Sequence, residues 1–275
     1  MVELVVTGVG GRLGGMIARA WRAAPPEGVR VLWCGRGPGW DIGWDILSGP
    51  VPDWPRGAVV LHLAAVVRGP ADAFARNPEM AERLAEACRR NGARALLAAS
   101  TIAVYGPGRG TPFDEDMPLD PQNDYGRSKA EAERRMARAA GGLPVTALRI
   151  GNVLGADALF GPRPSAQPIR LDPVPGSAAG PLRSWIGPRG LARAFGCLAR
   201  LAGRGAALPP ALNIACDPPL GMADLLEAAG RDWSWSATPA AVPVAVMSTR
   251  RLRALCPMPP TDPGALLAEL AEDGG

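Results

Sequence analysis

The chain has 275 residues, 47% of them hydrophobic, with 30 Lys+Arg against 26 Asp+Glu, one histidine and a formal net charge of +4. That size suits one α/β unit with a smaller appended lobe and a properly buried core, and no apolar run approaches the ~20 residues of a membrane span. The arginines are dispersed among acids, which argues against a nucleic-acid-binding stripe, and a lone histidine with five scattered cysteines argues against a metal site.

Val2 to Gly14 reads as a short apolar strand, a glycine turn and the start of a helix running to about residue 23. Glycines directly after a first strand permit a tight turn and let backbone amides approach a pyrophosphate. A second strand, Val29–Trp33, ends in Cys34-Gly35-Arg36 with no acidic residue there. Trp33, Trp40, Trp44 and Trp54 follow as core or loop anchors, one of them a candidate to border a bound base. Further strands are expected at Val59–Leu63, Ala95–Ala99 and Val145–Ile150, with helices near 78–91 and 124–140. This alternation predicts a Rossmann-type doubly wound parallel sheet. Asn77-Pro78 reads either as a helix cap followed by proline or as a functional pair. His62, flanked by Val, Leu and Ala, reads as a packed residue.

Gly106–Pro121 is expected to be a loop, and Gly161–Pro181, with Arg163 and Arg170 inside it, a lid or binding loop without secondary structure. Later elements are a helix over Gly190–Leu201, a strand at Leu212–Ala215 and closing helices at Ser248–Leu255 and Gly264–Leu270. We therefore expect a dinucleotide-binding core over 1–152 and a substrate-binding lobe with late core elements over 153–275. Unpaired cysteine spacing and the lack of a basic-then-apolar leader point to reduced thiols and a cytoplasmic protein.

Lys129 is the only lysine in the chain, and it follows one of only two tyrosines by four residues, in Tyr125-Gly126-Arg127-Ser128-Lys129. A helix puts both side chains on one face. An ammonium beside a phenol makes it easier to ionise and so a usable acid/base.

Together these motifs resemble the extended short-chain dehydrogenase/reductase superfamily, in its NAD(P)-dependent epimerase/dehydratase group. The segments that carry the resemblance are Thr7-Gly8-x-x-Gly11-x-x-Gly14, Asp45-Ile46, Val60 to Ala65, Ser100 to Gly106, Tyr125 to Lys129 and Leu148 to Gly155. The resemblance implies catalysis by Thr101, Tyr125 and Lys129, with Ser100 an adjacent competitor for Thr101. It implies a cofactor site built from Gly8, Gly10, Gly11, Arg12, Leu13, Gly14, Arg36, Asp45, Ile46, Leu63, Ala64, Ala65, Asn77 and Ala99 together with Tyr125 and Lys129. Arg12 and Arg36 favour NADP over NAD, and Asn152 and Arg183 join Thr101 as substrate candidates.

The positions at which the resembled 4,6-dehydratases have an Asp-Glu pair are Ile102 and Ala103, so dehydration is not expected. Arg183 to Gly190 lacks acids and histidine found in nucleotide-sugar members, which suggests a smaller substrate in the manner of the uronate dehydrogenases. The implied activity is hydride transfer at a hydroxyl or carbonyl carbon of a small sugar-like compound. Nucleotide-sugar 4-epimerisation and non-catalytic dinucleotide sensing remain alternatives, and a homodimer without membrane or nucleic-acid partners is implied by analogy.

Overall fold

The structure is a computed structural model that describes residues 1–108, 110–161 and 168–273. Arg163, in the expected lid, lies outside the described residues. The chain opens with β1 (Val2–Thr7), α1 (Arg12–Ala23), β2 (Val29–Gly35), β3 (Ile42–Gly43) and β4 (Val59–His62). A 3-10 turn over Ala71–Ala75 leads into α2 (Arg76–Arg90), β5 (Ala95–Thr101), a second 3-10 turn (Ile102–Val104) and α3 (Asp124–Ala139). Then come β6 (Val145–Ile150), β7 (Asn152–Val153), β8 (Ile169–Leu171), β9 (Leu182–Arg183), β10 (Trp185–Ile186), α4 (Pro188–Gly203) and β11 (Ala211–Ile214). The last elements are β12 (Leu220–Gly221), α5 (Met222–Ala228), β13 (Trp233–Trp235), β14 (Val244–Ala245), α6 (Arg250–Leu255) and α7 (Pro263–Asp273).

Seven strands form one sheet in the order β11-β6-β5-β4-β1-β2-β3, every neighbouring pair parallel. Alternation along each strand divides the core between two faces. Leu4 and Val6 of β1 join Ile17, Trp21, Phe195 and Leu198 under α1 and α4. Val5 joins Leu84, Cys88 and Met136 under α2 and α3. The strand order reverses between β1 and β4, and a crevice opens at the carboxyl ends of the strands beside such a switch point. A third apolar cluster, with Trp185 at its centre, fills the lobe of short strands around α5 and α7. Among the described residues no helix is long and apolar enough to cross a membrane.

Three expectations need correction. Gly161–Pro181 is not structureless throughout, because Ile169–Leu171 pairs in parallel with Trp233–Trp235. Its alternating buried-exposed-buried pattern marks a strand too short to stand out beside so many prolines. Asn77-Pro78 does not cap α2, which begins one residue earlier, after Ala75. Finally, Cys197 of α4 and Cys256, just past α6, form a disulfide, leaving Cys34, Cys88 and Cys216 free and buried. Fifty-nine residues separate the bridged pair, so local spacing held no signal for it.

Candidate active site

The glycine turn fits its place because two backbone approaches there leave no room for a side chain. Gly8 has φ +82°, and a Cβ on it would stand 2.3 Å from the Ala64 amide nitrogen. A Cβ on Gly14 would stand 2.3 Å from the Gly8 carbonyl oxygen. The Gly11 N–H donates to that same carbonyl at 3.0 Å and Gly11 caps α1, which leaves the first amides of the helix unpaired within it. These amides and the positive end of the helix dipole open on a cleft of ≈ 870 Å³, and Gly8, Gly10, Gly11, Arg12 and Leu13 line it.

At one end the cleft is bordered by Arg36, Trp40, Trp44, Asp45 and Ile46. Trp40 is 38% exposed and donates its indole N–H to the Arg36 carbonyl. The Asp45 carboxylate accepts from the Leu47 amide at 3.0 Å, which with nearby Arg36 holds it below the usual aspartate range. Arg12 lines the cleft too, yet its guanidinium donates to the Gly155 carbonyl at 3.0 Å, across to the segment after β7. Leu63, Ala64, Ala65, Ala99 and Thr101 form the strand-end wall, and Asn152 lies on the floor beyond β6.

Tyr125 and Lys129 line the same cleft. Asn123 caps α3 by accepting from the Gly126 amide at 2.7 Å, which fixes where the helix starts and so which face carries the pair. Phe74 packs against the tyrosine ring, 6.2 Å between centroids. Lys129 is only 5% exposed, and among the described residues its ammonium has no hydrogen-bond or ion-pair partner. Burial pushes its pKa down to about 8, against the opposing field of Glu133. The same loss of water pushes the Tyr125 phenol up to about 12. The expected easing of the phenol by its neighbour is therefore outweighed by burial, and the phenol is neutral at pH 7.

The two candidate hydroxyls on β5 are treated differently. Both line the cleft, but Ser100 donates its hydroxyl to Glu133, whereas among the described residues Thr101 Oγ1 accepts only the long 3.2 Å bond from the Ala103 amide. Asn77 does not line the cleft. It accepts from the Val66 amide at 2.7 Å and donates to the Val66 carbonyl and to Ser128 Oγ, joining the segment after β4 to α3. Arg183 also lies away from it, with its guanidinium on the carbonyls of Leu182, Val242 and Pro243. Buried His62 shares a 2.7 Å hydrogen bond with Thr7 Oγ1, and desolvation keeps it neutral with a pKa of about 3.

One constellation behind the cleft escaped the sequence reading. Arg149 on β6 donates to Glu133 through Nη2 at 2.9 Å and Nε at 3.3 Å, to Tyr105 Oη at 3.0 Å and to the Glu115 carbonyl at 2.9 Å. Tyr105 in turn donates to Asn213 on β11 at 2.7 Å. A signal for it was present, since Arg149 interrupts an otherwise apolar strand and a buried charge demands a partner.

Residues 55–169 match the NAD dependent epimerase/dehydratase family. That stretch is less than half of the chain, and over it the chain is similar to that family. A UDP-glucose 4-epimerase of Azospirillum brasilense is 40% identical to this chain over 107 residues, covering 36% of this chain and 30% of that protein. A dTDP-4-dehydrorhamnose reductase of Streptomyces griseus is 34% identical over 187 residues, covering 61% and 54%. The chain thus spans from about a third to about half the length of these curated relatives. Among solved structures, MoeE5 in complex with UDP-glucose and NAD superposes with a TM-score of 0.77 at 23% identity, covering 98% of both chains. The UDP-glucose-4-epimerase of Stenotrophomonas maltophila with bound NAD and formylated UDP-arabinopyranose gives 0.78 at 18%, covering 98% of this chain and 97% of that one. At such identities the likeness speaks for the epimerase/dehydratase fold alone.

Proposed function

We propose that the protein is an oxidoreductase that binds a nicotinamide dinucleotide in the crevice beside β1 and β4 and interconverts a hydroxyl and a carbonyl on a small sugar-like substrate. The observation that carries this reading is that one cleft is lined both by the glycine turn and by Thr101, Tyr125 and Lys129. The cradle suits the cofactor, since Gly8 and Gly14 admit no side chain and the α1 amides are free to take a pyrophosphate. The dinucleotide, when bound, supplies hydride transfer. Tyr125 moves the proton of the reacting oxygen, and its neutral phenol acts first as a donor, in the direction of reduction. Lys129 places a cation behind that phenol, which favours the phenolate left after proton transfer. Thr101 hydrogen-bonds the reacting oxygen, and Asn152 meets the substrate from the cleft floor. Arg183, spent on backbone carbonyls, is left out of the site. The α2–α3 pair, by resemblance, is the proposed homodimer face.

A second reading, nucleotide-sugar 4-epimerisation with the same three residues, is favoured by the UDP-glucose 4-epimerases that match this chain. Incubation of the protein and cofactor with aldoses, uronic acids and UDP-sugars separates the readings. Net formation of reduced dinucleotide supports the first, and C4 interconversion without it supports the second. Neither product, with dinucleotide bound, leaves a sensor.

NADP is the proposed cofactor form, and Arg36 now carries that preference alone because Arg12 is turned to Gly155. Loss of a charge-assisted hydrogen bond to the 2′-phosphate in Arg36→Ala should raise KM for NADPH roughly tenfold, with KM for NADH nearly unchanged. An unaltered ratio of the two constants would remove the NADP preference.

A further inference from the structure

We propose that Glu133 is a positioning residue for the Tyr125–Lys129 pair: its carboxylate, fixed by Arg149 and Ser100, is the counter-charge that keeps Lys129 an ammonium at the cleft. This rests on the proposed role of that pair. Tyr125, Lys129 and Glu133 follow one another at i, i+4 and i+8 along α3, so one helix face carries phenol, ammonium and carboxylate in series. The carboxylate itself cannot swing away. Arg149 grips it from β6 through Nη2 and Nε, Ser100 donates to it from β5, and the Arg149 and Glu133 side chains are only 8% and 12% exposed. One acid therefore ties together the helix bearing Lys129 and the strand ends leading to Thr101 and Asn152.

Between them lies a small chamber lined by His62, Ser100, Lys129, Glu133 and Met136. Its volume of ≈ 10 Å³ holds at most a single water, so little solvent screens the ammonium from the carboxylate. The groups facing Lys129 are few. Tyr125 and Glu133 come from α3, His62 from β4, Ser100 and Thr101 from β5, and Arg149 stands beyond Glu133 on β6. His62 is neutral and adds no counter-charge, and the phenol is neutral at pH 7. Glu133 is the one anion in this set. Burial drives Lys129 toward the free amine, and the carboxylate opposes it.

Lys129 is the sole lysine, so protein labelled only in lysine gives a single side-chain NMR signal whose midpoint reads this ammonium directly. Glu133→Gln/Arg149→Gln removes the carboxylate without stranding a buried guanidinium. In that double variant the proton should leave at lower pH, the midpoint falling by ~1 unit or more from about 8, and the alkaline limb of kcat/KM should fall with it. Glu133→Asp keeps the charge and should hold the midpoint near the parent value. A midpoint unmoved in the double variant, or moved equally by Glu133→Asp, overturns the inference even if turnover falls, since a merely structural role predicts that pattern. A shifted midpoint in a protein that does not need Tyr125 for turnover would instead overturn only the oxidoreductase reading.

Discussion

Replacing Tyr125 by Phe should lower turnover by roughly 10²–10⁴-fold, the usual contribution of a positioned acid/base, while leaving the dinucleotide bound. Among the described residues the phenolic oxygen has no hydrogen-bond partner, so its removal orphans nothing. The ring contact with Phe74 survives the change, and the glycine turn that would hold the cofactor sits on another element. Unfolding free energies of parent and variant should therefore agree within a few tenths of a kcal/mol. Trp40 and Trp44 line the cleft, which makes quenching of tryptophan fluorescence a convenient measure of dinucleotide affinity. A variant that binds and turns over like the parent would remove the phenol from the chemistry. One that loses binding as well would show that the ring supports the cleft rather than the proton transfer.

The largest loss of stability is expected from Arg149→Met. The substitution keeps much of the side-chain volume but leaves Glu133 charged and largely buried without its cation, and it takes donors away from Tyr105 and the Glu115 carbonyl. Breaking a buried pair on one side costs about 3–5 kcal/mol, a large share of the stability of a typical domain. Adding Glu133→Gln should return much of that loss, because the stranded charge rather than the missing contact accounts for most of it. Urea unfolding of the three variants tests this. Equal destabilisation of the single and double variants would contradict it.

What could be read from the chain beforehand was chiefly local. The apolar strands, the glycine turn and the i, i+4 relation of Tyr125 to Lys129 each lie within a dozen residues, and periodicity or spacing reports them. That Lys129 faces a cleft rather than solvent was implied by resemblance and not by local pattern, since it depends on how α3 packs against β5 and the 3-10 turn carrying Phe74. The features missed are long-range. Tyr105 meets Asn213 across 108 residues, Arg149 meets Glu133 across an intervening helix end, and Cys197 meets Cys256 only because α4 and α6 are brought together. Ser100 and Thr101 are neighbours in sequence, and only the position of Glu133 separates their duties. Arg12 is a further case. Its place beside the glycines suggested a phosphate ligand, and the fold also gives its Nη1 the Gly155 carbonyl, which no local pattern announced.

That last bond has a kinetic meaning. Arg12 is the first residue of α1 and Gly155 follows β7 next to Ala156, and both segments border the groove, so the guanidinium works as a clasp between two banks. If the cleft takes the proposed dinucleotide, the making and breaking of this bond would bear on how fast the ligand enters and leaves. The clasp would thus set residence time more than preference, slowing arrival and escape alike and keeping a loaded molecule loaded from one turnover to the next.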